Sequence, residues 1–73
     1  MSKRPLDILH GALGSRVVVE LKGGREYRGI LDGYDHPHLN LVLKDAEEYE
    51  AKDLTRKCEQ VVVRGDNIVF VLP

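Results

Sequence analysis

The sequence reads SRVVVELKGGREYRGILDGY at residues 15–34, and this stretch decides the class of fold. Along residues 17–21 the valines and the leucine at odd positions alternate with a more polar set, a period of two that predicts a strand with one buried face. Gly23 and Gly24 then separate this run from a second alternating run over residues 26–34. Two glycines between alternating runs are typical of a β-hairpin.

Two further glycines, Gly29 and Gly33, lie inside the second predicted strand. Glycine weakens a strand, so its presence there indicates sharp bending or the close approach of another backbone. Either feature is expected at the corner of a small barrel. The sheet should therefore be strongly curved.

The alternation is interrupted at Asp35-His36-Pro37-His38, because proline cannot donate a hydrogen bond to a central ladder. A polar loop with two histidines is predicted there. Three more strands are predicted over residues 39–43, 55–63 and 67–72, with a tight turn at Arg64-Gly65-Asp66 between the last two.

The segment from Ala46 to Asp53 is acidic, with Glu47, Glu48 and Glu50 close together. It could continue the third strand past a bend. We interpret its charges as a solvated face, with docking of a partner protein as the second interpretation.

The N-terminal residues predict a short helix over about residues 4–13, because Pro5 can occupy a first helical turn without losing a hydrogen bond. Its apolar face would consist of Leu6, Leu9, Ala12 and Leu13, and Gly14 would end it. A helix this short is unstable alone, so it should cover the open end of the barrel. The fold predicted for residues 1–73 is one small all-β domain, in which this helix precedes a strongly bent five-stranded antiparallel sheet over about residues 15–72 that forms an open barrel.

The size of the chain favours association. A domain of 73 residues buries only about 60% of its unfolded surface, and Cys58 is the single cysteine, so no internal disulfide can add stability. The apolar last strand would also leave an adhesive edge in water. Pairing this edge with the fourth strand of a neighbouring copy gives a head-to-tail contact, and such contacts close into rings.

Other classes of protein fit poorly. No apolar run approaches the ~20 residues of a membrane helix, and residues 1–4 lack the apolar run of a secretory signal, so we expect a cytoplasmic protein without a membrane partner. Asp7 and His10 lie one helical turn apart, but no nucleophile is placed beside a base, so no catalysis is expected. Asp35, His36 and His38 fall short of a closed structural zinc site, and we expect no metal or cofactor.

The segment LKGGREYRGILDGYD at residues 21–35, followed by HLNLVL at 38–43, resembles the first Sm motif, and VVVRGDNIVFV at 61–71 resembles the second. The chain is thus similar to the Sm-like (LSm) family and to its archaeal members in particular. The resemblance implies an N-terminal helix on a bent five-stranded sheet, a homo-oligomeric ring, usually of seven subunits, and binding of uridine-rich single-stranded RNA around the inner rim. It also implies a role in RNA processing or metabolism, with RNA-processing proteins as further partners, and neither catalysis nor a cofactor.

The resemblance assigns roles to five residues. By position in the motifs, His38 would stack on a base, Asn40 would hydrogen-bond its edge, and Arg64 would cover the base from the other side. The backbone of Gly65 would lie close to the base, and Asp66 would orient Asn40. Proteins do hold unstacked RNA bases between aromatic or guanidinium planes and read their edges by hydrogen bonds.

The loop departs from the family pattern, because four residues separate Asp35 from Asn40 where three are usual. His36 is therefore an alternative for the stacking role, although the distance of His38 from Asn40 along the chain matches the family. Asp35 is a further candidate contact, and Lys3, Arg4 and Tyr34 could form a second RNA contact on the face of the helix.

Simpler interpretations stay open for the same residues. The histidines could belong to a polar loop that binds nothing, and Asn40 could only cap a turn. Arg64-Gly65-Asp66 could be a plain hairpin in which Gly65 supplies a positive φ. The alternative function is a structural ring scaffold that docks proteins through the acidic face, with little or no RNA binding.

Overall fold

The computed structural model describes residues 4–73. The first three residues of the predicted domain, among them the candidate RNA contact Lys3, lie outside the described residues. The elements are α1 (Pro5–Gly11), β1 (Arg16–Leu21), β2 (Arg25–Tyr34), β3 (Leu41–Glu50), β4 (Asp53–Val63), a short 3₁₀ turn (Gly65–Asn67) and β5 (Ile68–Leu72). The strands form one antiparallel sheet in the order β4-β3-β2-β1-β5. The small all-β architecture is confirmed.

The β1–β2 hairpin has the predicted form. Burial alternates along β1, where Val17, Val19 and Leu21 face the core. Gly23 and Gly24 both adopt a φ of 89°, a conformation that glycine adopts without a steric penalty. The two-glycine turn therefore suits the twist of its flanking strands.

The sheet bends where Gly29 of β2 faces β3. Arg28 pairs with Glu47 and Ile30 with Lys44, so the single residue Gly29 lies opposite two residues, Asp45 and Ala46. A β-carbon on Gly29 would lie 3.0 Å from both Cα and Cβ of Ala46. The bulge and the close packing together explain the glycine, as predicted.

A second irregularity lies near Gly33, between the pairs Leu31 with Leu43 and Gly33 with Val42. Here β2 carries the extra residue, Asp32, and no atom lies within 4 Å of a β-carbon built on Gly33. Gly33 thus accompanies a bend without a close approach.

Pro5 occupies the first turn of α1, as predicted, but the helix ends at Gly11 and not at Gly14. Its first turn is closed by the Arg4 N–H, which donates to Asp7 Oδ2 over 3.3 Å. Leu9 packs against the core and Ala12 is buried. Leu13 was wrongly placed on the apolar face, since the helix has ended at Gly11 and the Leu13 side chain is 37% exposed. With seven residues, α1 is far too short to cross a membrane, and no other helix within residues 4–73 is long and apolar enough to do so.

The third strand differs from its predicted limits. It begins at Leu41 instead of Leu39 and continues to Glu50 through a bend at Asp45, whose φ is 49°. The continuation past a bend is therefore confirmed. Strand β4 then follows a two-residue turn, Ala51-Lys52, in which both residues have a positive φ.

The acidic segment is not uniformly solvated, because Glu48 is only 4% exposed. Its carboxylate accepts hydrogen bonds from the hydroxyl groups of Tyr27 and Thr55. Arg56 lies 3.4 Å and Arg25 4.0 Å from it. Burial of a carboxylate is tolerated when such partners compensate it, and here they join β2, β3 and β4.

The two edges of the sheet, β4 and β5, expose large apolar side chains. These are Leu54 and Val62 on β4 and Val69, Phe70 and Leu72 on β5. A cleft of about 460 Å³ lies between the ends of β1 and β4, where the barrel remains open. Both strands predicted to meet in a ring are thus free edges of the described chain.

Glu48 makes stability sensitive to acid. Hydrogen bonds from Tyr27, then Thr55, lower the pKa of its carboxyl group. A carboxyl with a lowered pKa stabilises the fold above its unfolded pKa of about 4.3, and this contribution is lost as the pH falls through the folded value. We expect the melting temperature to fall between pH 5 and pH 3 in the unmodified protein, and to fall by several degrees less in Glu48→Gln.

The measurement is thermal unfolding followed by circular dichroism at matched protein concentration. Glu50→Gln is the control, because Glu50 is exposed at the end of β3. Equal acid sensitivity of the Glu48 variant and the unmodified protein would contradict the assignment.

Candidate functional site

Two segments distant in sequence meet at one end of the sheet. Leu41 at the start of β3 pairs with Val63 at the end of β4, so the loop before β3 lies beside the turn after β4. The Gly65 N–H donates to Asn40 Oδ1 over 2.9 Å and links them directly. His38, Asn40, Arg64 and Asp66 line a cleft of about 200 Å³ there, which we call the Asn40 cleft.

Asp35 closes the loop that carries Asn40. Its carboxylate accepts the Asn40 backbone N–H at Oδ1 over 3.0 Å and the Asn40 side-chain amide at Oδ2 over 2.9 Å. The backbones add Asp35 N–H to Asn40 O at 3.0 Å and Leu39 N–H to Asp35 O at 3.1 Å. These bonds hold Asn40 in the loop rather than in β3, where the sequence had placed it.

Leu39 has a φ of 56°, in the left-handed region. For a residue other than glycine this costs roughly 1–2 kcal/mol. Strained backbone of this kind persists when surrounding bonds hold it, and here Asp35 supplies them. The loop is therefore a fixed structure and not a loose polar connection.

Gly65 is required for a steric reason. A β-carbon at this position would collide with the carbonyl oxygen of His38 and lie 2.8 Å from that of Leu39. Gly65 does not have a positive φ, so the interpretation of a plain hairpin that uses the freedom of glycine is wrong. The close packing of Gly65 on the loop holds together the two segments that line the cleft.

Asp66 does not orient Asn40 in this chain. Its carboxylate instead accepts a hydrogen bond from the Arg64 guanidinium over 2.8 Å. The role predicted for Asp66 is performed by Asp35, which the sequence had offered only as an additional contact. Asp66 is two residues from Arg64 and reaches that cation, whereas the loop brings Asp35 back against Asn40.

The two loop histidines differ in position. His38 lines the Asn40 cleft beside Asn40 and Arg64, whereas His36 is exposed in the preceding part of the loop and does not line it. Of the two histidines, His38 is therefore the one that the fold places at the cleft. The imidazole of His38 and the guanidinium of Arg64 are the two planar groups at the cleft.

The charges of the cleft are mixed. Hydrogen bonds from the Asn40 side chain, then from its backbone, lower the pKa of Asp35, so this carboxylate is ionised at neutral pH. The Arg64 side chain is 78% exposed, and its guanidinium keeps donors beyond the one used by Asp66. The cleft thus combines a solvent-facing cation with a fixed amide.

The second predicted contact surface is separate from the cleft. Tyr34 is partly buried at the end of β2, and its hydroxyl lies 3.4 Å from His10 Nδ1 of α1. Arg4 is exposed at the start of α1. Within residues 4–73, no three His, Cys, Asp or Glu side chains are grouped as a metal site would require.

Comparisons with known proteins agree with the sequence motifs. The model of the LSM domain matches residues 7–73. A protein of Archaeoglobus fulgidus named as a candidate snRNP Sm-like protein is 59% identical over 73 residues, which is 100% of this chain and 94% of the relative.

Solved structures show the same fold. The Sm protein of Pyrococcus abyssi in complex with a uridine heptamer has a TM-score of 0.93 and 45% identity, over 97% of this chain and 99% of that one. The heptamer of SmAP1 from P. aerophilum has a TM-score of 0.88 and 37% identity, over 100% of this chain and 96% of that one.

The packing of Gly65 against the loop can be tested by Gly65→Ala. Because the new methyl group would meet two carbonyl oxygens, we expect a loss of about 1–3 kcal/mol in the free energy of unfolding. Denaturant unfolding at fixed protein concentration measures it. Gly33→Ala is the matched control, since open space surrounds that position, and its stability should be unchanged or slightly higher. Equal stability of both variants would show that the loop yields easily.

Proposed function

Because this chain belongs to the Sm-like family, we propose that it forms a homo-oligomeric ring that binds uridine-rich single-stranded RNA. The observation that carries the proposal is the Asn40 cleft, in which a fixed amide lies beside two planar side chains, His38 and Arg64. We assign the protein a binding function in RNA processing or metabolism, and no catalytic one.

The cleft suits a single unstacked base. An imidazole and a guanidinium can stack on the faces of a base, and a carboxamide can pair with its edge. Stacking contributes on the order of 1–3 kcal/mol per base. We propose that His38, Asn40, Arg64 and Gly65 contact the base, while Asp66 holds Arg64.

The ring follows from the two edges of the sheet. Exposed apolar side chains on β4 and β5 would be covered if β4 of one subunit paired with β5 of the next. Such a heterologous contact repeats around an axis and can close. The P. aerophilum relative is a heptamer, so we propose seven subunits.

Repetition compensates for the weak charge of the chain. The formal net charge is −1, which by itself does not attract RNA. In a ring, one Arg64 per subunit becomes a circle of positive charge, and several identical clefts engage one strand together. The P. abyssi relative holds a uridine heptamer, which supports uridine as the base.

The scaffold alternative has less support. Docking through the acidic face needs free carboxylates, and two of its three glutamates are engaged within the chain: Glu48 is buried among its partners, and Glu47 lies 3.3 Å from Arg16 and accepts the Tyr49 hydroxyl, which leaves Glu50 exposed. We therefore retain RNA binding as the function. We propose that the protein acts in the cytoplasm, a reducing compartment in which the free thiol of Cys58 stays reduced.

RNA binding is tested by fluorescence anisotropy with short oligo(U) and a matched oligo(C). We expect tighter binding of oligo(U), and Asn40→Ala or Arg64→Ala should weaken it about tenfold or more, since each change is repeated in every subunit. Lys44→Ala, which removes a cation outside the cleft, is the control and should bind normally. Equal binding of both oligomers by the unmodified ring, unchanged in the variants, would refute the proposal.

Ring formation is tested by native mass spectrometry. We expect seven subunits for the unmodified chain and smaller species for Val62→Asp and Phe70→Asp, because each buries a charge between the edges of two subunits. Ile8→Ser removes an exposed apolar side chain from α1 and is the control. Intact rings in both edge variants would argue against β4–β5 pairing.

A further inference from the structure

We propose that the open cleft between the ends of β1 and β4 is an anion site, which takes a backbone phosphate of the RNA strand, and that Lys22 is its principal cation. We call it the Lys22 cleft. The inference rests on the proposed RNA-binding function and extends it from a single base to the phosphate backbone of the same strand.

The Lys22 cleft is larger than the Asn40 cleft and is lined mainly by positive charge. Its volume is about 460 Å³, against about 200 Å³ for the Asn40 cleft. Lys22, Arg25 and Arg64 contribute three cationic side chains, and Asp66 contributes the single carboxylate. Valine side chains of β4 form an apolar part of the wall. A cleft with charges of mainly one sign and apolar walls concentrates the electric field, so it attracts anions.

Lys22 is the cation of this cleft that is available to a ligand. Arg64 lies 2.8 Å from Asp66, and Arg25 lies 4.0 Å from the buried Glu48, so each arginine already faces a carboxylate. Lys22 is exposed, and within residues 4–73 no carboxylate lies at ion-pair distance from its ammonium group. An ammonium group has three donors and binds phosphate as a point charge.

The two clefts adjoin each other. Arg64 and Asp66 line both of them. The Lys22 N–H donates to the carbonyl oxygen of Asn67 over 2.9 Å, which ties the β1–β2 turn to the turn that begins at Arg64. A strand with a base in the Asn40 cleft would therefore bring a neighbouring phosphate towards Lys22. None of the three cations belongs to β4 or β5, the strands that the proposed ring contact would cover.

A phosphate contact has a different signature from a base contact. It adds affinity that weakens with salt, because bound cations are released from the RNA, and it carries no information about sequence. Base contacts in the Asn40 cleft decide which oligomer is preferred. Loss of Lys22 should therefore weaken all oligomers alike and leave the preference for uridine unchanged.

The test is Lys22→Gln, measured as the salt dependence of the oligo(U) dissociation constant by fluorescence anisotropy. The plot of log affinity against log salt should become less steep by about 0.7 for each subunit whose Lys22 contacts the strand. The oligo(U) and oligo(C) dissociation constants should rise by the same factor. An unchanged slope, or a change in the ratio of the two constants, would overturn the inference.

Two control variants separate a phosphate contact from a general loss of charge. Lys22→Arg keeps the cation and should retain the slope of the unmodified protein. Lys44→Gln removes one positive charge at an ion pair with Asp32, outside both clefts, and should also leave the slope unchanged. A slope that falls equally in Lys22→Gln and Lys44→Gln would show that net charge alone is responsible, which contradicts a site at Lys22.

A uridine oligomer with uncharged methylphosphonate linkages identifies the group that Lys22 binds. The unmodified ring and Lys22→Gln should bind this oligomer equally, and a difference that persists would overturn the inference. Native mass spectrometry confirms that the compared rings contain the same number of subunits. Absence of oligo(U) binding by the unmodified ring refutes the proposed function, whereas binding with a uridine preference and an unchanged slope in Lys22→Gln refutes this inference alone.

Discussion

The register between β3 and β4 is the constraint on which the rest of the molecule depends. Leu41 faces Val63, and this pairing alone brings the loop that ends at Asn40 beside the turn that begins at Arg64. A slip of one residue would turn each side chain to the other face of the sheet. Glu48 opposes such a slip, because its carboxylate bonds to Thr55 and Arg56 of β4 at the irregular position in the ladder. A buried charge far from the cleft thus helps to place the cleft.

The features that sequence could predict are those set by local chemistry. Alternation identified β1 and β2, the paired glycines identified their turn, and Gly29 marked a bend that its packing on Ala46 confirms. The motifs predicted that His38, Asn40 and Arg64 share one site, and the three residues line the same cleft. These signals are strong because few other residues satisfy the same backbone or steric condition.

The features that sequence missed depend on partners from other strands. Ala51-Lys52 is a turn without turn residues, since both carry a β-carbon at a positive φ, so no local signal marks it. Glu48 belongs to an acidic run for which the sequence predicts a solvated face. Its burial is explained only by the positions of Tyr27 and Thr55, whose hydroxyl groups donate to its carboxylate. The motifs assigned the orienting of Asn40 to Asp66, whereas the structure pairs Asn40 with Asp35. The fold of the longer loop decides between them.

The fixed conformation of the loop before β3 and the proposed ring assembly are connected. In the proposed ring, a single cleft with mixed charges would bind one base weakly, and contact of one strand with several identical copies would compensate for this. The backbone of Leu39 is strained in this conformation, and the hydrogen bonds of the Asn40 side chain to Asp35 and Gly65 hold the loop in place. Because a repeated site adds its contribution once per subunit, a loop that is held in the same conformation in every copy would let the proposed ring present a regular set of equivalent clefts.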